Sequence, residues 1–491
     1  MASPKRFEMK IMLSIVLLIS SVANGAEDGT CNLYDRRGLT ENVGSSVQGA
    51  VHGAVHGAAA HGAAAMSSVS RAATSATSSS SKPATSMKAD VAAPAAAGAP
   101  AGAAPAAGGA PGAAPGGAPG PDGAVVFDVS KCPNAKGDGQ TDVTQGVLKA
   151  WNDACHSTST AKVLIPEGEW LTAELDFAGP CTAPLPIIVE IQGTLKAKPD
   201  AKSFPSGMWI NIFQTGVKLM GGGTIDGQGC EAWKTKKPGG DALPDSLCIT
   251  QCNVSSAENI NILNSKGFNM KVVESDDFVA NNLKITCAGD SPNTDGIHIG
   301  KVKNLKITNS VIGVGDDCIS IGDDSTDVTI TNITCGPGHG ISIGSLGRYP
   351  DEKDVKNVLV SNCTFLNTTN GARIKTMHES PTLSAMNITF QDIIVQHTFN
   401  PIIIDQHYFA DKPGPSKVKV SGVTFKNFKG TSLSNVAVSL NCSEAAPCEG
   451  INLADIDFTY TGNNTNTTLG SECANAKATF GGKMMPAGCA I

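Results

Sequence analysis

Two stretches of the sequence repeat each other. Residues 282–299 read NLKITCAGDSPNTDGIHI and residues 304–321 read NLKITNSVIGVGDDCISI, so the same pattern returns after 22 residues. In both stretches apolar side chains alternate with polar ones over short runs, and Gly, Asn and Asp separate the runs. Alternation with a period of two indicates short β-strands joined by tight turns. The fixed offset indicates one structural unit per repeat.

Similar blocks recur over most of the chain. They begin at residues 259, 282, 304, 327, 357, 387, 422 and 450, which gives steps of 23, 22, 23, 30, 30, 35 and 28 residues. A second short strand follows most of them, as in Ile297–Ile299 and Ile319–Ile321. Strands that return in parallel without crossover helices predict an all-β fold, a right-handed parallel β-helix with coils roughly 4.8 Å apart. A β-sandwich or propeller would not place matching sequence at an offset of one coil. The segment Thr144–Ala154 predicts a short helix that caps the N-terminal end of the solenoid.

The rest of the chain divides into two further segments. Residues 1–25 combine a basic head, a short apolar run and small residues at 23–25, which predicts a secretory signal peptide. Residues 26–123 are rich in Ala, Gly, Pro and Ser and cannot build a core, which predicts a disordered arm. Residues 124–491 are the predicted β-helix domain. We therefore expect a protein that is secreted to the extracellular space, with no membrane segment after removal of the signal.

The charge balance limits the possible partners. The 491 residues include 44 Asp and Glu against 37 Lys and Arg, a net charge of −7, and only 16% of the residues are charged. A mild acidic excess without a long basic run argues against nucleic-acid binding. It still permits an anionic substrate, because a local basic cleft can lie on an acidic protein.

Four polar clusters stand where the second strand of successive coils begins. They are Asn293-Thr294-Asp295, Gly315-Asp316-Asp317, Gly338-His339-Gly340 and Arg373-Ile374-Lys375. Asp295, Asp317 and His339 are 22 residues apart, which is one coil, so they are predicted to stack. Asp316 and Asp317 cannot both point outward from a regular strand, and Gly315 is suited to the bend that their convergence requires.

The residue types in these clusters suggest a reaction. A fold has no structural reason to stack carboxylates, since their repulsion is costly unless the shifted pKa values are used. Glycoside hydrolysis needs one carboxylic acid that stays protonated and another that activates water. Arg373 and Lys375 beside them would bind the carboxylate of an acidic sugar. The residues alone therefore predict a hydrolase of an acidic polysaccharide, with no cofactor and no metal.

In their order and spacing the four clusters resemble the signature of the polygalacturonases, glycoside hydrolase family 28. The strings SPNTDGIHIG, GVGDDCISIG and CGPGHGISIGSLGRY are especially similar to plant pollen exopolygalacturonases. The resemblance spans about residues 124–491. It implies a right-handed parallel β-helix that hydrolyses α-1,4-linked galacturonan of pectin in the cell wall, with inversion at the anomeric carbon and from chain ends.

The resemblance also implies roles for single residues. Asp316 would be the general acid, Asp295 and Asp317 would activate water, and His339 would tune the acid. Further residues would contact the substrate, namely Asn293, Arg373, Lys375 and Tyr408. We expect a monomer.

Cysteines and glycosylation sequons fit a secreted protein. There are 15 Cys, and short spacings make disulfides plausible, although the sequence does not fix their pairing. The family resemblance implies the bridges Cys318–Cys335, Cys442–Cys448 and Cys473–Cys489. Asn-x-Ser/Thr sequons suggest a glycoprotein.

Two alternatives remain, an endo-acting polygalacturonase and a catalytically idle wall-binding β-helix. A calcium-dependent pectate lyase is disfavoured by the histidine and the three Asp residues, and a rhamnogalacturonan hydrolase is disfavoured because Asn293, His339 and Arg373-Ile374-Lys375 are present together.

Overall fold

The computed structural model describes residues 118–120, 123–236, 240–409, 414–464 and 467–489. The predicted signal peptide and nearly all of the predicted arm lie outside these residues. Within them, no helix is long and apolar enough to cross a membrane.

The described residues form two large sheets. The strands of the twenty-stranded sheet 1 are β1 (Ala118–Pro119), β2 (Val125–Asp128), β3 (Asp138–Asp142), β4 (Ala161–Ile165), β5 (Glu169–Thr172), β7 (Ile187–Ile191), β8 (Thr194–Ala197), β10 (Val217–Met220), β11 (Thr224–Asp226), β13 (Ser256–Glu258), β14 (Asn261–Leu263), β16 (Val279–Asn281), β17 (Lys284–Thr286), β19 (Lys306–Gly313), β21 (Thr326–Cys335), β23 (Val355–Leu366), β25 (Leu383–Thr398), β27 (Val418–Ser432), β29 (Cys448–Tyr460) and β31 (Ala476–Met485). The strands of the eleven-stranded sheet 2 are β6 (Leu175–Ala178), β9 (Met208–Phe213), β12 (Asp245–Thr250), β15 (Met270–Val273), β18 (Ile297–Gly300), β20 (Ile319–Ile321), β22 (Ile341–Leu346), β24 (Asn370–Met377), β26 (Asn400–Tyr408), β28 (Val436–Asn441) and β30 (Gly470–Ala474).

The strand order confirms the predicted right-handed parallel β-helix. Each coil contributes one strand to sheet 2, and each of these strands pairs in parallel with its counterpart one coil away. In the N-terminal coils sheet 1 consists of two separate columns, β7–β10–β13–β16 and β8–β11–β14–β17. Both columns join at β19, and from there the coils contribute one long strand each.

The core is built from equivalent residues of successive coils. Ile297, Ile319 and Ile341 are direct register partners and none is exposed to solvent. Farther along, the rings of Phe390 and Phe425 stack at 5.6 Å. Because side chains alternate across a strand, every second residue is buried in this stack and the residues between them face outward.

The recurrent Asn of the sequence blocks occupies a turn. Asn282, Asp327, Asn357 and Asn387 all have φ between 52° and 59°, a left-handed conformation that Asn and Asp tolerate better than most residues. Their side chains also bond from coil to coil, since Asn357 Nδ2 donates to Asp327 Oδ1 at 2.8 Å and Asn387 Nδ2 donates to Asn357 Oδ1 at 2.7 Å. The repeat in the sequence is therefore a repeat of turn geometry.

The predicted capping helix is present as α1 (Thr144–Cys155). It packs against β2, β4 and β6, and the Trp151 ring stacks on Phe177 at 5.0 Å. A second short helix, α2 (Cys230–Thr235), was not predicted, because six residues are too few for a helical period to be recognised in the sequence.

Disulfides connect neighbouring parts of the coil stack. All three implied bridges, Cys318–Cys335, Cys442–Cys448 and Cys473–Cys489, are present, together with Cys155–Cys181. Cys318–Cys335 joins the residue after Asp317 to the last residue of β21, so it closes most of the coil between Asp317 and His339.

Candidate active site

The predicted stacking of the polar clusters is confirmed by the strand register. Ile297, Ile319 and Ile341 are register partners, and Asp295, Asp317 and His339 each lie two residues before one of them. In the next coil Arg373 pairs with Ser342. The first three clusters therefore lie where the strands of sheet 2 begin. The fourth was expected at the same place, but Arg373 and Lys375 lie inside β24, and Arg373 is in the row of Ser342.

A bend at Gly315 and Asp316 brings two adjacent carboxylates to the same place, as the sequence predicts. The Gly315 amide donates to Thr294 Oγ1 at 3.1 Å, which ties this bend to the preceding coil. A Cβ atom on Gly315 would lie 2.0 Å from the Ser291 carbonyl oxygen, so no other residue fits. As a result a carboxylate oxygen of Asp316, a carboxylate oxygen of Asp317 and a ring nitrogen of His339 all lie within 4.8 Å of one another.

Asp317 is the most enclosed carboxylate of the site, with 1% of its side chain exposed. Its Oδ1 accepts hydrogen bonds from Arg373 at 2.5 Å and from Ser342 Oγ at 2.9 Å. Its Oδ2 accepts from Lys375 Nζ at 2.8 Å. Two buried cations therefore contact one buried carboxylate from different sides and fix its position. Their positive charges also disfavour binding of a metal cation, which the spacing of Asp316, Asp317 and His339 could otherwise accommodate.

Asp316 is more accessible, with 22% of its side chain exposed. Its Oδ1 accepts from His339 Nδ1 at 2.9 Å and from the Asp317 amide at 2.8 Å. Burial disfavours the ionised form of Asp316, but the hydrogen bond from His339 and the positive charges of His339, Lys375 and Arg373 outweigh it and lower its pKa.

Asp295 has the opposite electrostatic environment. Burial, followed by the charges of Asp316 and Asp317, raises its pKa well above the usual range of a carboxyl group. The proposed reaction type needs one carboxylic acid that stays protonated, and the pKa that is raised belongs to Asp295 and not to Asp316. The reason is that Arg373 and Lys375 contact Asp317 and that His339 contacts Asp316.

Two outward-facing residues that the sequence reasoning missed hold Asp295 in place. Ser320 Oγ donates to Asp295 Oδ2 at 2.7 Å, and His298 Nδ1 lies 2.8 Å from the same hydroxyl. Since the single hydroxyl proton goes to Asp295, His298 is the donor to Ser320. Burial, and then the charge of Lys271, lower the pKa of His298 to about 4, so its ring is neutral at higher pH.

A signal for these residues was present in the sequence. His298, Ser320 and Ser342 are the central residues of the strands IHI, ISI and ISI, and they are register partners. A polar residue between two buried isoleucines faces outward on a strand, here beside the clusters.

The two remaining predicted residues differ in their placement. Tyr408 lies at the site, with its ring centre 5.1 Å from Lys375 Nζ and 5.9 Å from the Arg373 guanidinium carbon. Asn293 is exposed in a left-handed turn with φ of 52°. Among the described residues its side chain has no hydrogen-bond partner, and the hydrogen bond to Asp295 comes from Ser320.

Comparison with known proteins identifies the family. The family model "Glycosyl hydrolases family 28" matches residues 155–482. The chain belongs to glycosyl hydrolase family 28. It is 42% identical over 374 residues to an exopolygalacturonase of Zea mays, covering 74% of this chain and 90% of the maize protein. It is also 42% identical over 371 residues to an exopolygalacturonase of Platanus acerifolia, covering 74% of this chain and 97% of that protein.

Two solved structures of other proteins share the fold. Endo-xylogalacturonan hydrolase from Aspergillus tubingensis superimposes with a TM-score of 0.64 at 26% identity, over 73% of this chain and all of that one. The polygalacturonase from Erwinia carotovora ssp. carotovora superimposes with a TM-score of 0.54 at 25% identity, over 69% of this chain and 94% of that one.

Proposed function

We propose that this family 28 enzyme hydrolyses α-1,4-linked galacturonan from chain ends and releases galacturonic acid. The main support is a cluster of three carboxylates with two buried cations, Arg373 and Lys375, directly beside it. Each uronate residue carries a carboxylate that these cations can bind in addition to Asp317, whereas a neutral polysaccharide offers them no charge. The plant relatives named exopolygalacturonase favour action from chain ends.

The proposed reaction is a single displacement with inversion. A carboxylic acid of the cluster donates its proton to the glycosidic oxygen while the bond from this oxygen to the anomeric carbon breaks. A carboxylate takes a proton from water, whose oxygen attacks the anomeric carbon from the opposite face. Arg373 and Lys375 would hold a uronate carboxylate near the scissile bond, next to the Tyr408 ring.

Asp316 is the carboxyl group best placed to act as the acid. Asp317 has both oxygens bonded to cations and is almost fully enclosed, whereas Asp316 is 22% exposed and can reach a bound sugar. In the free site the pKa of Asp295 is raised and that of Asp316 is lowered, which favours protonation of Asp295 over Asp316. A uronate carboxylate at Lys375 and Arg373 would cancel the charges that keep Asp316 ionised, and its pKa would then rise.

Product analysis on polygalacturonate tests the proposed function. We expect galacturonic acid monomer to appear from the earliest time points, with slow loss of polymer length. A ladder of oligomers would contradict end-wise action, and unsaturated products that absorb in the ultraviolet would indicate a lyase instead. If neither galacturonic acid nor saturated oligomers appear, the proposed activity is contradicted altogether.

The role of Asp316 is tested with leaving groups of different quality. Asp316→Asn should lower turnover of polygalacturonate by roughly 10²–10⁴-fold. An aryl galacturonide with an acidic phenol needs little protonation, so the same variant should lose much less activity on it. Asp295→Asn, which removes the proposed base, should lose activity on both substrates alike. The reverse pattern would make Asp295 the acid and Asp316 the base.

We further propose that the protein is secreted to the cell wall. The predicted signal peptide supports this, and the N-terminus of protein recovered from the medium should then begin near Ala26.

A further inference from the structure

The outward row that contains His298, Ser320 and Ser342 continues beyond the proposed active site. Lys271 of β15 is the register partner of His298, and on the other side Ser342 is the partner of Arg373. Lys271 and Arg373 therefore lie two strands from Ser320 in opposite directions, roughly 10 Å each at about 4.8 Å per coil. The carboxylates of Asp295, Asp316 and Asp317 therefore lie between Lys271 on the N-terminal side and the cations of β24, Arg373 and Lys375, on the C-terminal side.

Lys271 differs from Arg373 and Lys375 in its solvent exposure and in its distance from the nearest carboxylate. The side chains of Arg373 and Lys375 are 10% and 8% exposed, and both donate to Asp317. The Lys271 side chain is 33% exposed, and its Nζ lies 3.7 Å from Asp245 Oδ2, longer than a hydrogen bond.

Asp245 is a weak competitor for this ammonium group. Its Oδ1 already accepts a hydrogen bond from the Phe268 amide at 2.9 Å. Burial raises the pKa of Asp245, which shows that its environment disfavours the negative charge. Lys271 thus retains hydrogen-bonding capacity toward a ligand that lies along sheet 2.

A polyanion that crosses the carboxylate cluster needs positive charge on both sides of it. Arg373 and Lys375 supply this on the C-terminal side, and Lys271 is in register to supply it on the N-terminal side. We propose that Lys271 binds the carboxylate of the uronate residue on the side of the scissile bond opposite to Arg373 and Lys375. This inference rests on the proposed function and adds a second determinant of specificity, because a methyl-esterified residue would have no charge for Lys271 to bind.

Binding to an inactivated enzyme tests this without turnover. In an Asp316→Asn background, calorimetry with trigalacturonate compares Lys271→Met, Lys271→Arg and Lys218→Met. Lys218 is a matched control, since its Nζ lies 3.6 Å from Glu258 Oε1 and it is 38% exposed, but it belongs to β10 of sheet 1. Lys271→Met should weaken binding about tenfold, the value of one charge-assisted hydrogen bond. Lys271→Arg should retain most of the affinity, Lys218→Met should change nothing, and Lys271→Met should not weaken binding of the trimethyl ester further.

The outcomes separate this inference from the proposed function. If the unmodified enzyme releases galacturonic acid but Lys271→Met binds as Lys218→Met does, the inference is wrong and the proposed function stands. If the enzyme hydrolyses no galacturonan but binds trigalacturonate in a Lys271-dependent way, the proposed function is wrong and the inference stands. Absence of both hydrolysis and binding overturns both.

Discussion

The buried charges around Asp317 give the sharpest test of the site's energetics. Asp317→Asn keeps the shape of the side chain and one acceptor oxygen, but it turns an amide group toward one of the two cations. Arg373 and Lys375 are about nine-tenths buried, so both positive charges would lose the carboxylate that they contact directly. Removing one partner of a buried ion pair costs about 3–5 kcal/mol of unfolding free energy. At about 2 °C per kcal/mol for a large domain, the melting midpoint should fall by roughly 6–10 °C.

The matched control is a carboxylate with the same number of cations on the surface. Glu449 accepts from Lys419 at 2.7 Å and Lys477 at 2.9 Å, but its side chain is 41% exposed. Water screens this cluster, so Glu449→Gln should leave the midpoint unchanged within error. Thermal unfolding followed by circular dichroism, with all variants in one buffer, compares the two.

A second variant links the effect to charge. Adding Lys375→Met to Asp317→Asn removes one of the two cations that have lost this carboxylate, so the midpoint should recover part of the loss. If Asp317→Asn has the same melting midpoint as the unmodified protein and Glu449→Gln, the reasoning from burial is refuted.

Three further predictions concern the turn, the hydrogen bonds and the pH dependence of the site. Gly315→Ala should lower the free energy of unfolding by about 1–3 kcal/mol, because the new Cβ would overlap the Ser291 carbonyl oxygen. Gly481→Ala is the control, since nothing lies within 4 Å of a Cβ at that position, and it should leave the melting midpoint unchanged. Equal midpoints for the two variants would contradict the close packing at Gly315. Ser320→Ala removes a hydrogen bond that favours ionised Asp295, so the pKa of Asp295 should rise further. The acidic limb of the pH–rate profile should then move to higher pH. A uniform loss of rate at all pH values would instead indicate a purely structural role for Ser320. Asp295→Asn should raise the melting midpoint at pH 7, by the few degrees that about 1 kcal/mol represents. The folded-state pKa of Asp295 is raised, so its ionisation opposes folding at pH 7 and costs nothing below its unfolded pKa; a gain that did not shrink between pH 7 and pH 4 would contradict this sign.

Much of the cluster could be predicted because a solenoid converts sequence spacing into spatial spacing. A step of 22 residues between Asp295, Asp317 and His339 is one coil, and one coil is one strand spacing. The turn residues carried the same information, since an Asn, Asp or Gly at the start of each block marks a left-handed turn. The capping helix was also predictable, from the helical spacing of its apolar residues.

Other properties of the site could not be predicted from spacing. Register shows that carboxylates are near one another, but not which one lies beside the cations. Arg373 and Lys375 both turn toward Asp317, and this leaves the raised pKa on Asp295 and not on Asp316. Lys271 belongs to no recognisable cluster in the sequence, and it lies in the row of His298 only because β15 pairs with β18 in this register.

The sequence by itself determined the period, the turns and the set of reactive residues, because these depend on local alternation and on counting along the chain. Only the tertiary structure decided which carboxyl group has a raised pKa and which cations contact a carboxylate. Those properties depend on burial and on distances of a few ångströms between side chains of different coils, and electrostatic energy in a poorly solvated site changes steeply over such distances.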